Sequence, residues 1–146
     1  MVQRDYILRL IEQAGTMLKV LLQRITGQSA TRAELAGDLQ RAAQLGGLDL
    51  DLLRLCDGEG LLQVIAPTGE ADPSRTWLAA ETLYLDALAA ELEGDLDAAV
   101  AGYTKATALF RIMEPTWVLP SGFPEASIRI ADIDVRLTAL GPSSAG

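Results

Sequence analysis

Apolar residues recur along most of this chain at intervals of three and four, the period that sets one stripe of an α-helix against a core. From Arg4 to Thr26 the stripe is Ile7, Leu10, Ile11, Ala14, Met17, Leu18, Leu21, Leu22 and Ile25, with Arg9, Gln13, Thr16 and Gln23 opposite and Gly27 as the stop. Thr31-Arg32-Ala33-Glu34 has the spacing of a capping box, which predicts a second helix burying Leu35, Ala36, Leu39, Ala42, Ala43 and Leu45 and ending at Gly46-Gly47. The short connection between the two implies an antiparallel pair. Asp49 and Asp57 are placed as N-caps of two brief helices, reaching Leu55 and Ala66, and Pro67-Thr-Gly-Glu-Ala71 reads as a loop.

Asp72-Pro73 joins a cap to a proline in the first turn and predicts a long helix with Trp77, Ala80, Leu83, Tyr84, Ala87, Leu88 and Leu92 inward. Gly94-Asp95 then turns the chain tightly into another helix, carrying Leu96, Ala99, Val100, Tyr103, Ala106, Phe110 and Met113. Pro115, Pro120 and Pro124 break the following stretch into an apolar loop that contains Trp117, Val118, Leu119 and Phe123. That loop suits either a flap over the end of the helix stack or a set of anchors for a partner. In the last element Ile128, Ile130, Ile133, Val135 and Leu137 alternate like a strand, whereas Ile130, Ile133, Leu137 and Leu140 have helical period. With no second strand for it to pair with, a helix is expected. The expected architecture is all-α, one domain over residues 1–140: antiparallel helical hairpins, the main one at 73–113, forming a short α-solenoid or bundle with a C-terminal capping helix and a flexible tail at 141–146.

At 146 residues the chain has the length of one ordinary domain. It contains no histidine, which removes imidazole acid–base chemistry, serine and cysteine nucleophiles activated by it, and histidine-ligated metals. A formal charge of −8 repels a phosphate backbone, so no nucleic-acid partner is expected. Charged residues interrupt every long apolar run, so no membrane span is expected either. The lone Cys56 permits no internal disulfide, and the start of the chain lacks the pattern of an export signal, which together point to the cytoplasm. The Cys56 thiol itself reads as a small buried hydrophobe.

The acids are unevenly spread: between Asp49 and Asp97 twelve of them face only Arg54 and Arg75. Such a run serves either as a docking face for a basic partner or as solvated helix faces and caps. Asp49, Asp51, Asp57 and Glu59 fail as a calcium loop, because Leu53 and Arg54 stand where an oxygen ligand and a glycine are needed. The pairs Asp132/Asp134 and Glu91/Glu93 read as surface acids. No catalytic residue, metal site or cofactor is implied.

Within Gly94-Asp-Leu-Asp-Ala-Ala99-Val-Ala-Gly-Tyr103-Thr-Lys-Ala106, the pattern Ala-x3-Tyr-x2-Ala resembles the second half of a tetratricopeptide (TPR) unit, with small residues where two helices approach. Gly37-Asp-Leu-Gln-Arg-Ala42 echoes its opening. The chain up to about Pro115 also resembles a family of small bacterial proteins known only as a domain of unknown function. The likeness rests on Asp5-Tyr6-Ile7-Leu8-Arg9-Leu10-Ile11, on Leu45-Gly46-Gly47-Leu48-Asp49-Leu50-Asp51-Leu52-Leu53 and on the Gly94–Ala106 stretch. It implies an all-helical, TPR-related cytoplasmic protein of unassigned activity.

The expected function is a non-enzymatic protein–protein interaction or scaffold module, whose partner is another protein or a second copy of the chain. The TPR register puts Glu81, Tyr84, Leu88 and Glu91 on the outward side of their helix, as a partner face or packed against a neighbouring helix of the same chain. For self-association the first helix offers the stripe that includes Gly15 and Met17. The rival is a small-ligand-binding or enzymatic helical bundle using carboxylates.

Overall fold

Local caps dictate where the helices begin. The computed structural model describes residues 2–27, 30–66, 69, 72–113 and 126–140, with side chains from residue 9 onward. Among these are seven helices and no strand: α1 (Val2–Thr26), α2 (Arg32–Leu45), α3 (Leu50–Leu55), α4 (Gly58–Ile65), α5 (Pro73–Leu92), α6 (Leu96–Ile112) and α7 (Ala126–Leu140). Thr31, Asp49, Asp72 and Asp95 each accept a hydrogen bond from an amide in the first turn of the helix they open. Asp57 stands at the N-cap of α4 but accepts no such bond, and Gly58 behind it adopts a positive φ of 51°. Gly47, at φ 74°, ends α2, while the Leu48 amide bonds back to the Ala43 carbonyl. The loop at 114–124 and the tail at 141–146 lie outside the described residues.

The short helices are also held at their far ends. Lys105 on α6 donates from Nζ to the carbonyls of Leu53 and Arg54, the closing turn of α3. Arg75 on α5 donates to Ile65 O at 3.3 Å and to Gly47 O at 3.1 Å, tying the ends of α4 and α2 together. A cation at a helix C-terminus satisfies carbonyls that have no intrahelical partner and complements the helix dipole.

Packing centres on α5, which meets α1, α2, α3, α4 and α6. Every residue from Thr76 to Ala90 is buried, so this helix has no solvent face. Only Leu92, expected inward, is half exposed, as is Leu96. They flank the Glu93–Asp95 turn at the end of the α5–α6 pair, which α2 reaches through Arg32. The α1 stripe, Gly15 and Met17 included, is spent inside the chain, where Ala14, Leu18, Leu21 and Ile25 join the core. In α7 the helical-period residues Ile130, Ile133, Leu137 and Leu140 pack inward, while Ile128 and Val135, which belong to the strand pattern alone, are exposed.

The α5–α6 contact depends on small residues. A Cβ placed on Gly102 would lie 2.9 Å from the Cβ of Ala87, and Ala99 and Ala106 are fully buried on the same helix. The Gly37 echo does not extend to structure, because Gly94 forms a turn at φ 83° while Gly37 lies inside α2 with open space around it. The two glycines therefore predict opposite mutational effects. Gly102→Val should lower the free energy of unfolding by about 1–3 kcal/mol through overpacking, and Gly37→Ala should raise it by up to ~1 kcal/mol through helix propensity; urea melts of both variants check this.

Candidate functional site

Because α5 is buried all round, its polar side chains must find partners within the protein. On one side they meet α7. Glu81, 4% exposed, accepts from Arg129 Nε at 2.8 Å and from Arg129 Nη2 at 2.7 Å, a two-pronged pair in which Arg129 is itself 11% exposed. The same guanidinium lies over the Tyr84 ring, 4.6 Å from its centre. Tyr84 donates its hydroxyl proton to Asp132 at 2.5 Å, and Asp132 also accepts from Arg136 Nε at 2.9 Å. Arg136 reaches Glu91 at 3.4 Å, and Glu91 accepts the Tyr103 hydroxyl at 2.6 Å. The Tyr84 and Tyr103 rings sit 6.1 Å apart, closing the seam.

Electrostatics along this seam follow from burial and pairing. Burial pushes the Glu81 carboxyl above its ordinary value, and Arg129 opposes that shift without cancelling it. Burial, reinforced by the hydrogen bond to Asp132, raises the Tyr84 phenol to about 12. Tyr103 is raised by burial and by Glu91. For Asp132 burial acts upward, but the bonds from Tyr84 and Arg136 prevail and hold it below the usual carboxylate range. The seam therefore keeps both phenols protonated as donors. Neither is prepared to act as a base.

On another side of α5, Asp86 accepts from Arg54 of α3 at 3.0 and 2.7 Å, and that bond raises the guanidinium. At the end of the α5–α6 pair, Arg32 of α2 meets Asp95 at 2.7 Å, and its backbone amide donates to Glu93 at 2.7 Å. The acid-rich middle of the chain is thus met by arginines from before it (Arg32) and after it (Arg129, Arg136).

An apolar hollow lies among the described residues. Between α4 and α6, Leu61, Leu62, Ala108, Leu109 and Ile112 line a groove of about 380 Å³ with Asp57, Glu59 and Lys105 at its edge. A neighbouring hollow of about 440 Å³ shares Glu59, Leu62 and Ile112 and continues it past Gln63 and Ala66. Leu62 is 42% exposed there and Ile112 36%. The carboxylates of Asp57 and Glu59 make no hydrogen bond or ion pair among the described residues, although the Asp57 carbonyl accepts from the Leu61 amide.

Of the four residues placed outward by the register, Glu81, Tyr84 and Leu88 are buried and Glu91 is partly so, and α7 supplies the bonding partners of the three polar ones. The alternative of packing against a helix of the same chain is the arrangement found. Asp132 is no free surface acid, whereas Asp134 is exposed. Arg129, Asp132, Arg136 and the Arg54–Asp86 pair escaped the sequence reading, although acids set inside the apolar run of α5 already call for arginines. Cys56 is half buried against the core. Among the described residues no cluster of three or more Asp, Glu or Cys is arranged to hold a metal, and no helix is long and apolar enough to cross a membrane. No protein-family model, curated protein or solved structure matches this chain.

Two outcomes are expected. Arg129→Ala strands a buried carboxylate and should cost about 3–5 kcal/mol of stability, most of it recovered when Glu81→Leu and Arg129→Leu are combined, since a well-packed apolar pair can replace a buried ion pair. At alkaline pH the unfolded chain ionises its tyrosines near the ordinary value of 10, while Tyr84 stays neutral in the fold until about 12. Its stabilising contribution is therefore complete below pH 10 and falls as pH rises through 12. Urea melts between pH 9 and 11.5 should show that decline, and Tyr84→Phe should lessen its slope, the raised Tyr103 phenol supplying a further part.

Proposed function

We propose that this chain is a non-enzymatic protein-interaction module that holds an amphipathic helical segment of a protein partner in the groove between α4 and α6. The observation that carries this reading is the coincidence, in one place, of an apolar floor and two carboxylates, Asp57 and Glu59, that pair with no cation among the described residues, the Lys105 ammonium of the same hollow being turned to the Leu53 and Arg54 carbonyls. An apolar hollow rimmed by charge suits a helix laid in by its apolar face, with lysines or arginines of the ligand meeting the rim. The carboxylates buried or half-buried on α5 and α7 are engaged: Glu81, Asp86, Glu91 and Asp132 each bond an arginine, a tyrosine or both, which favours a scaffold over a bundle that uses them for chemistry.

A TPR-like build supports the same reading. In such stacks the first helix of a later pair packs against both helices of the earlier pair, and α5 meets α1, α2 and its own follower α6. The Ala99, Tyr103 and Ala106 pattern then lies at the α5–α6 contact, with α7 as the cap of the stack. The sequence resemblance, together with this packing, supports reading the protein as a cytoplasmic, TPR-related protein of bacterial type.

Affinity capture from the native cells, washed at low and high salt, tests the groove directly when the protein is compared with its Leu62→Glu variant. The expected result is a salt-sensitive partner whose recovery falls about tenfold or more with Leu62→Glu, at unchanged helicity, because the substitution puts a charge on the apolar floor. Equal recovery by the variant would move the binding face elsewhere.

A further inference from the structure

The face of α5 and α6 beneath α7 has the properties of a receptor. All the side-chain hydrogen bonds that α7 makes to the rest of the described chain come from Arg129 and Arg136, together with Asp132, which accepts from Tyr84. These three lie at i, i+3 and i+7, so they form one stripe along a helix. The groups that read them, Glu81, Tyr84, Glu91 and Tyr103, belong to α5 and α6. These two helices pack against each other, and all the buried core residues but Ile133 lie outside α7, whose Ala126, Ile130, Leu137 and Leu140 pack on that core partly buried. The face is therefore assembled independently of the helix that occupies it.

Recognition here combines charge and hydrogen bonds with the apolar contact of Ile133 and the partly buried Ala126, Ile130, Leu137 and Leu140. Ile133 is the one fully buried side chain of α7, and Ile128 and Val135 point to solvent. Glu81, in contrast, is buried and has Arg129 as its sole hydrogen-bonding partner among the described residues, so an empty face would hold a carboxylate in need of a guanidinium. Any helix carrying the same stripe satisfies that need. A second copy of the chain carries it by definition.

We propose that the α5–α6 face is a helix receptor specific for the pattern Arg-x2-Asp-x3-Arg, that α7 is its resident ligand, and that α7 of a second copy docks there whenever the chain's own α7 is displaced. Swapping of one element between identical chains forms no contact that the single chain lacks, so its cost is low. This surface lies on α5 and α6 under α7, apart from the α4–α6 groove, and stands or falls without it.

Complementary charge reversals test it. In Glu81→Arg the chain's own α7 meets a like charge, and in Arg129→Glu it does so with the opposite sign. Mixing the two offers each helix a matching face on the other chain, whereas combining both changes in one chain restores matching in cis. The expected result is a one-to-one pair of twice the chain mass in the mixture, by light scattering or native mass spectrometry, with each variant alone and the combined variant running at the single-chain mass. If a single variant fails to fold, the two are denatured and refolded together, and the pair is expected again. A mixture, or a joint refolding, that yields no pair while the combined variant folds would overturn the proposal. As a second readout, a synthetic peptide of residues 126–140 should bind the Arg129→Glu protein saturably, and about tenfold or more weakly when the peptide itself carries Arg129→Ala. Equal binding of both peptides would also overturn it.

Discussion

The structure depends on a helix that has no solvent face and yet carries charge. Glu81 and Asp86 sit within the buried run of α5, five residues apart. At about 100° per residue this sets them roughly 140° apart around the helix axis, so one arginine cannot serve both. Each buried carboxylate is tolerable only with its own cation, and the cations come from two elements distant in sequence, Arg54 on α3 and Arg129 on α7. The placement of those two helices follows from electrostatic need as much as from apolar contact. For α7, with Ile133 alone fully buried, the ionic stripe is what defines its register on α5 and α6.

The same need explains the uneven charge along the chain. A stretch with twelve acids against two bases would repel itself if it folded alone. In three dimensions arginines of α2 and α7 fold over it, at Asp95, Glu81 and Glu91. Part of the excess is absorbed by caps as well: Asp49, Asp72 and Asp95 spend their oxygens on backbone amides. What lies unneutralised beside an apolar surface is the pair Asp57 and Glu59, and the electrostatic character of the groove follows from that residue of the charge balance.

Much of this was legible in the residues, because helix boundaries are set locally. Thr31, Asp49, Asp72 and Asp95 announce their helices through side chains that can only cap, and Gly47 and Gly94 mark turns that need positive φ. The centrality of α5 was not legible. The periodic stripe sets Tyr84 and Leu88 inward while the TPR register sets them, with Glu81 and Glu91, on the outward side, and α5 is enclosed so that Glu81, Tyr84 and Leu88 are all buried and Glu91 is half-buried. The α7 partners of Glu81, Tyr84 and Glu91 lie more than forty residues further on, and no local rule links positions so far apart. For α7 the ambiguity between strand and helix was genuine in the pattern, and tertiary contact decided it by exposing Ile128 and Val135.

The start of α4 has a dynamic consequence. This two-turn helix opens at an aspartate that bonds no amide, follows with a glycine at positive φ, and is anchored chiefly at its far end by Arg75 and through buried Leu61 and Ile65. Segments with few buried contacts and unsatisfied termini exchange their amide protons through local opening at a free energy well below that of global unfolding. One wall of the groove is thus a small cooperative unit of its own, fraying from Gly58 inward, whereas the opposite wall on α6 is as rigid as the core. A ligand that enters would be clamped from one side by order it induces, and protection of the α4 amides would report its arrival.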